Sequence, residues 1–470
     1  MLTDLNNSGS IQDSYSAYDV TVIGAGAAGI TLALKLSAAG KRVALIEAGG
    51  LIYSDESQQV YKAKNIGDPY FELDACRLRY FGGSTNHWGG WCRPFEPEDF
   101  NRGHLGEEYK WPITFEELDQ YREEACEILE ISSVFQDEAS GSDIGSIGFN
   151  FSPPVRFGAK YFDSLVENPL VHVFLNSNLV DVTFSNDQLT SIKIASYDGS
   201  SSFVSSRNYI LAMGGIENPR YLLWFKSKYG SSFLSDASPI GSYWMEHPVF
   251  TLGQAIVDKR IVSKRFYSLS AQAQFDEGIL NCGLRINHLP FKRTKELIKE
   301  VLCKAPSLGK SLYSLAGKDL VCGVIFRAEW EQAPTIQSYI SLDTETDQFG
   351  IPKPILNWTK TELDRKTITS SIKRFNDWLL RLDGGRIQLK NWLLDNKDYP
   401  VDDVLGGNHH MGSTRMHSNL QYGVVDENCK VYGSSNLYVA GSSVFTTGGH
   451  NNPTLPIVQF ALRLARHLST

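Results

Sequence analysis

The residues able to do chemistry fall in a few short stretches. Gly24-Ala-Gly26-Ala27-Ala28-Gly29 has the G-x-G-x-x-G spacing of a turn that cradles phosphates. Glu47, followed by Ala48, lies at the distance downstream where an acid can accept a hydrogen bond from a ribose hydroxyl. An acid there argues against a 2′-phosphate and so against NADP, while leaving FAD and NAD open. Gly82-Gly83-Ser84-Thr85-Asn86-His87-Trp88 is a glycine-rich loop with a histidine and a tryptophan, composed to run along a flat cofactor. Near the C-terminal end stand Asn408-His409-His410-Met-Gly412 and Asn451-Asn452-Pro453-Thr454. A histidine suits a general base because its ordinary pKa lies near neutrality. His409 and His410 also read as buried structural histidines. Asn452 before Pro453 also reads as a helix N-cap with proline at the first helical position.

These stretches need elements to position them. Val20, Val22 and Ile23 form the apolar run of a buried parallel strand ahead of the glycines. A helix follows, with its N-terminal N–H groups aimed at the phosphates, and a second strand, Arg42 to Ile46, ends at Glu47. Strand patterns recur at Val171 to Leu175, Leu179 to Phe184 and Ser191 to Ala195. Asn208 to Met213 reads as another buried strand, running into Gly214-Gly215 and a helix with Pro219 in its first turn. Asn436-Leu-Tyr-Val-Ala-Gly441-Ser442 repeats the strand–glycine pattern at the far end of the sequence. Residues 250 to 290 and 320 to 358 alternate polar and apolar, as in an antiparallel sheet. Thr114 with Glu117 has capping-box spacing, and Thr361 to Leu382 reads as a capped amphipathic helix. Residues 1 to 16 read as disordered and 134 to 150 as a loop. The lysine-rich segment Lys292 to Lys318 reads as a solvated insertion, in preference to a helix that docks a partner or touches a membrane.

Composition bounds the function. The chain has 470 residues, enough for two cores, with 42% hydrophobic and 21% charged residues. A formal net charge of -8 disfavours nucleic acid or an anionic membrane as the main partner. No apolar stretch is long enough to span a bilayer, and no secretory signal is visible. The 7 cysteines are scattered, without C-x-x-C spacing. They predict reduced thiols, a cytoplasmic location and no metal site.

Taken together, Gly24-Ala-Gly-Ala-Ala-Gly29 with Glu47, Gly82 to Trp88, Ala212-Met-Gly-Gly-Ile-Glu-Asn-Pro219, His409-His-Met-Gly-Ser-Thr-Arg-Met416, Asn436 to Ser443 and Asn452-Pro-Thr-Leu455 resemble the glucose–methanol–choline (GMC) family of FAD oxidoreductases. The resemblance covers nearly the whole chain and is closest to bacterial sugar and alcohol dehydrogenases and pyranose oxidase. One departure is Ala440-Gly441-Ser442, where many relatives place an acid. The resemblance implies an α/β fold in which a discontinuous Rossmann-like FAD-binding domain (15–100, 155–250 and 405–470) interleaves with a substrate domain (101–154 and 251–404) built on an antiparallel sheet flanked by helices. It implies oxidation of a CH–OH group of a sugar, glycoside or other alcohol by hydride transfer to flavin N5. His409 would be the general base and Asn452 its partner, with His450 as the alternative at the second position. The implied cofactor contacts are Gly24, Gly26, Ala27, Ala28, Gly29, Glu47, Ala48, Gly83, Ser84, Asn86, His87, Trp88, Val180, Gly214, Gly441, Ser442, Pro453 and Thr454. His87 takes the place of the histidine that some members bond covalently to the flavin. Oxygen, a quinone or another redox partner would accept the electrons. The competing readings are a flavin-dependent lyase or decarboxylase on the same fold, an NAD-dependent dehydrogenase, and a non-catalytic nucleotide-binding scaffold.

Overall fold

The computed structural model describes residues 1–6, 14–139, 143–153, 155–230, 234–288, 320–394, 397–403 and 406–470. The lysine-rich segment Lys292 to Lys318 lies outside the described residues.

An eight-stranded sheet forms the larger core, in the order Leu2–Asp4, Val171–Leu175, Val43–Ile46, Ser14–Ile23, Ser201–Leu211, Gln188–Ala195, Asn178–Ser185. The eighth strand, Leu437–Val439, pairs in parallel with Tyr209 to Leu211. The central strands are parallel. Val43–Ile46, Val171–Leu175 and the ends of the two longer strands, Val20 to Ile23 and Tyr209 to Leu211, are buried on both faces, and for that reason read in sequence as runs without alternation. Helix Ala27–Ala38 packs beside the last helix, Thr454–Ser469, so segments from opposite ends of the chain share one layer.

The second sheet is antiparallel, with Val249–Asp258, Leu320–Trp330, Cys282–His288 and Phe266–Leu269 at its centre. Helix Glu362–Arg381 covers it, burying Ile368, Ile372, Phe375, Trp378 and Leu379. Its N-terminus is fixed by a capping box between Thr361 and Asp364. Together these elements give the α/β fold with a helix-flanked antiparallel sheet expected from the sequence.

Several local expectations need correction. Leu2–Asp4 is not disordered; it pairs in parallel with Val173 to Leu175 at the sheet edge. Within 134–150, Glu138–Ala139 and Ile144–Ser146 are short strands ending the antiparallel sheet. They are too short and polar to show a period. Tyr339–Thr346 and Pro352–Trp358 leave that sheet for a small one of their own, joined by Lys64–Gly67. The helix after Thr114 breaks at Gln120 and Tyr121 into Phe115–Asp119 and Arg122–Leu129. Leu382 lies past its helix and is exposed.

Pro219 sits in the second turn of helix Gly214–Tyr229, not the first. Proline has no N–H to give the carbonyl of Gly215 four residues back. The Ser413 hydroxyl donates to that carbonyl instead, at 2.7 Å. The proline therefore leaves an acceptor free, and through it the helix is tied to the segment carrying His409 and His410.

Candidate active site

The glycine-rich turn between Ser14–Ile23 and helix Ala27–Ala38 forms one wall of a cavity of about 410 Å³. Gly24 has φ +109°, and a Cβ there would meet the Ala212 carbonyl oxygen at 2.5 Å. A Cβ on Gly29 would lie 1.8 Å from the Gly24 oxygen, so this glycine serves close helix packing. Gly26 faces open space, as do Gly214 and Gly441. Backbone is thus bared on three sides of the cavity, with the N-termini of helices Ala27–Ala38 and Thr454–Ser469 directed at it. This is a cradle for an anionic dinucleotide.

Glu47 is buried at the end of its strand. Its two carboxylate oxygens accept N–H groups from Ala25 at 2.9 Å and Gly49 at 3.0 Å. Burial pushes its pKa up, against the pull of those N–H groups. The acid therefore pins the glycine turn to the strand beside it.

Of the expected contacts, Gly24, Gly26, Ala27, Ala28, Glu47, Gly83, Ser84, His87, Trp88, Gly214, Gly441, Ser442, Pro453 and Thr454 line the cavity, together with His409 and Asn452. Gly29, Ala48, Asn86 and Val180 do not. Gly29 packs inward. The Ala48 carbonyl accepts the Tyr197 hydroxyl, and the Asn86 amide donates to the Phe81 carbonyl. Val180 sits at an irregularity in an outer hairpin strand. His450 also lies off the cavity wall, buried near Glu96, with its pKa lowered by burial to about 4.

His409 and Asn452 meet. The Asn452 Nδ2 and His409 Nε2 atoms are 3.1 Å apart. Pro453 already takes helical backbone angles, φ -72° and ψ -12°, and its carbonyl accepts the Ile457 N–H, but the Asn452 side chain is directed at His409. Behind His409, Met245 and Met411 exchange backbone hydrogen bonds, and the Gly407 N–H donates to the His247 carbonyl. This antiparallel pairing of residues 245–248 with 406–411 sets His247 opposite His409, their Nδ1 atoms 2.8 Å apart.

Glu246 supports the corner from below. Its Oε1 accepts backbone N–H groups from His247 at 2.7 Å, His409 at 2.8 Å and Gly407 at 3.2 Å. Its Oε2 accepts the Tyr70 hydroxyl, and Tyr70 in turn meets His410 Nε2 at 3.1 Å. Burial raises the Glu246 carboxyl to about 7 despite these donors. Glu329 on the antiparallel sheet brings Oε1 to 3.8 Å from His409 Nδ1. Burial, then repulsion from Glu246, raises its pKa to about 7 as well. Burial, helped by His247 and His410, holds His409 well below the ordinary histidine pKa, so the ring is neutral at physiological pH. His247, Glu329 and His409 form a tight trio of donor atoms. The 2.8 Å between the imidazoles is hydrogen-bond spacing. It is shorter than the ~3.3 Å between two nitrogens on one tetrahedral zinc.

His247, Glu246, Tyr70 and Glu329 escaped the sequence reading. The one signal was Glu246-His247 set within the apolar run Trp244-Met245 and Pro248-Val-Phe250. Arg77, at the cavity wall, was also missed. It pairs with the buried Glu217 at 2.6 Å, and Glu217 with Arg220 at 2.8 Å. Burial would raise the Glu217 pKa, but Arg220 and Arg77 outweigh it and bring it to about 2.

A parallel sheet with a glycine-lined dinucleotide cradle, and a neutral histidine and an asparagine amide facing into it, defines a nucleotide-dependent oxidoreductase. Comparison with known proteins narrows this. Residues 334–461 match the family model described as GMC oxidoreductase, and residues 19–56 one described as FAD binding domain. The chain is 23% identical to 2-methyl-1,2-propanediol dehydrogenase of Mycolicibacterium austroafricanum, over 96% of this chain and 95% of that one. It is 22% identical to the fructose dehydrogenase large subunit of Gluconobacter japonicus, over 95% and 97%. Its fold is similar to that of pyridoxine 4-oxidase from Mesorbium loti, with TM-score 0.60 and 14% identity over 96% and 99%. The C-terminal part of the chain matches a GMC oxidoreductase domain and the N-terminal part an FAD binding domain, and its cofactor is FAD. Among the described residues, no helix is long and apolar enough to cross a membrane.

Proposed function

We propose that the chain oxidises a CH–OH group of an alcohol, sugar or glycoside, with His409 as general base. The observation that carries this reading is the His409–Asn452 pair at the cavity wall. Alcohol oxidation removes a hydride from carbon and a proton from oxygen. The bound flavin supplies the hydride acceptor. His409 Nε2 takes the hydroxyl proton, and the Asn452 amide N–H holds the oxygen as its negative charge develops. The curated relatives act on a diol and a sugar by name, which supports the substrate class. Cavity residues Trp88 and Trp91 offer flat apolar surface suited to a sugar face.

The test is anaerobic mixing with a panel of alcohols, sugars and glycosides while the flavin absorbance is followed. His409→Ala is expected to keep FAD and lose reduction by about 10²–10⁴-fold, the usual worth of a general base. Near-wild-type reduction in that variant removes His409 from the mechanism. Re-oxidation by oxygen or by a quinone then identifies the acceptor. Absence of bleaching by any alcohol or sugar favours the lyase reading on the same fold.

A further inference from the structure

We propose that His247 is a positioning residue that fixes the tautomer of His409, holding its proton on Nδ1 so that Nε2 keeps the lone pair, which accepts from the Asn452 amide at rest and is released to the substrate hydroxyl when that amide turns to the substrate oxygen. The inference rests on His409 being the base, and the hydrogen-bond chain gives its direction.

The chain has a fixed anchor. His247 Nε2 lies 3.2 Å from the Gly448 carbonyl oxygen. A carbonyl can only accept, so Nε2 carries the hydrogen. A neutral imidazole has one N–H, and burial keeps His247 neutral, its pKa lowered to about 4. Its Nδ1 is therefore an acceptor. The atom facing it at 2.8 Å, His409 Nδ1, must donate. His409 is itself neutral, so its Nε2 has no hydrogen, and Asn452 turns its NH₂ toward that nitrogen at 3.1 Å. Glu329 adds to this through its charge. Its carboxyl lies 3.8 Å from His409 Nδ1, beyond hydrogen-bond reach, and when ionised it favours a proton on that side of the ring. Both groups facing Nδ1 favour a proton there.

The arrangement has a chemical result. A histidine with its hydrogen on Nε2 would offer the substrate hydroxyl an N–H and could take no proton from it. With the hydrogen on Nδ1, the hydroxyl proton passes to Nε2, the Nδ1–H bond to His247 stays intact, and the imidazolium charge lies beside Glu329. The Gly448 carbonyl is thus the far end of a relay that orients hydrogens without transferring one. Gly448 is only a few residues before Asn452, so one loop fixes both the base's tautomer and the amide that faces it.

The test uses the FAD-loaded protein labelled with ¹⁵N-histidine, in which two-bond ¹H–¹⁵N spectra distinguish the two neutral tautomers. The His409 signals are assigned by their loss in His409→Gln. Wild-type His409 is expected as the Nδ1–H form at pH 7. His247→Leu removes the acceptor. It is expected to shift His409 toward a mixture of tautomers and to slow flavin reduction about 10-fold or more, because the Nε2–H fraction cannot take the hydroxyl proton. Substrate concentration dependence should change little. His247→Asn keeps an acceptor oxygen near the Nδ1 position and is expected to recover the Nδ1–H spectrum and most of the rate. A wild-type His409 in the Nε2–H form overturns the proposal. So does a His247→Leu variant with an unchanged tautomer and rate, an outcome that leaves the loss of activity in His409→Ala, and the base assignment, standing. If His409→Ala instead reduces flavin normally, the base assignment fails, while the wild-type spectrum still decides the tautomer. Should His247→Leu fail to fold, the wild-type spectrum and His247→Asn decide the matter.

Discussion

Asn452→Ala separates two jobs that an Asn-Pro pair can do. Were Asn452 the N-cap of the last helix, its loss would cost about 0.5–2 kcal/mol of stability, typically ~1. Pro453 already takes helical backbone angles, but the Asn452 amide bonds to His409. The stability cost should therefore be that of one part-buried side-chain hydrogen bond, about 1 kcal/mol or less, and the shift of the thermal midpoint about 2 °C or less in a chain of this size. The effect on rate is different in kind. On the proposed mechanism the amide donates to an oxygen gaining negative charge, and removing one such donor costs about 10²–10³-fold, or ~2.7–4 kcal/mol. Asn452→Asp is the companion variant. It keeps the size, loses the donor, and sets a carboxylate beside His409 Nε2. The negative charge raises the pKa of His409, so the free base is lost at a higher pH and reduction near neutrality is slower still. The assay is anaerobic stopped-flow flavin reduction at saturating substrate beside a thermal melt of the same preparation. A lowered midpoint with an unchanged reduction rate would refute the reasoning and return Asn452 to the helix end.

Glu246→Gln keeps an oxygen for the N–H groups of His247, His409 and Gly407, whereas Glu246→Ala orphans those of His247 and His409, at about 1–3 kcal/mol each when buried, and leaves Gly407 only its bond to the His247 carbonyl. The alanine variant should unfold far more readily in urea, and equal destabilisation by the two would contradict the assigned bonding. Because the Glu246 carboxyl has its folded-state pKa raised to about 7, its ionisation opposes folding as pH rises through that value. The stability of Glu246→Gln relative to wild type should accordingly grow between pH 5 and 8. Glu47→Ala unpairs the Ala25 and Gly49 N–H groups and should weaken FAD retention more than it changes chemistry; full flavin occupancy after dialysis would count against this. Since His409 is held well below its ordinary pKa, the flavin-reduction rate should stay level from pH 8 down to about 6.5 and fall only below it. A rate already halved at pH 7 would mean that ionised Glu329 outweighs the burial of the ring. His87 lies on the cavity wall with its pKa lowered by burial and by Arg156, so it is neutral. His87→Ala should leave FAD binding largely intact, and acid precipitation of the wild-type protein, read by pellet colour and intact mass, decides whether the ring is bonded to the flavin.

The nucleotide cradle was legible because its determinants are local: an apolar run, glycines at fixed spacing, and an acid at the next strand's end. Asn452 illustrates the limit of that method. Asn-Pro satisfies the rules for a helix start, and Pro453 does take helical backbone angles, yet the Asn452 amide is used elsewhere. Pro219 fails in the same way, since a proline in the second turn is tolerated only because Ser413, far along the chain, takes the freed carbonyl. The His247–His409 contact left no local trace. It depends on two irregular segments pairing their backbones, and neither has a strand's period. Glu329 was hidden for a related reason: on an alternating strand it reads as a solvent-facing residue, while its side chain reaches the active site.

The cavity wall draws on Gly24 to Trp91 at one end of the chain and on Gly407 to Ile457 at the other. During synthesis the first wall emerges early and waits, with its bared glycine backbone, for nearly all of translation. Flavin capture then waits for the second wall, and a product truncated before Gly407 should stay colourless.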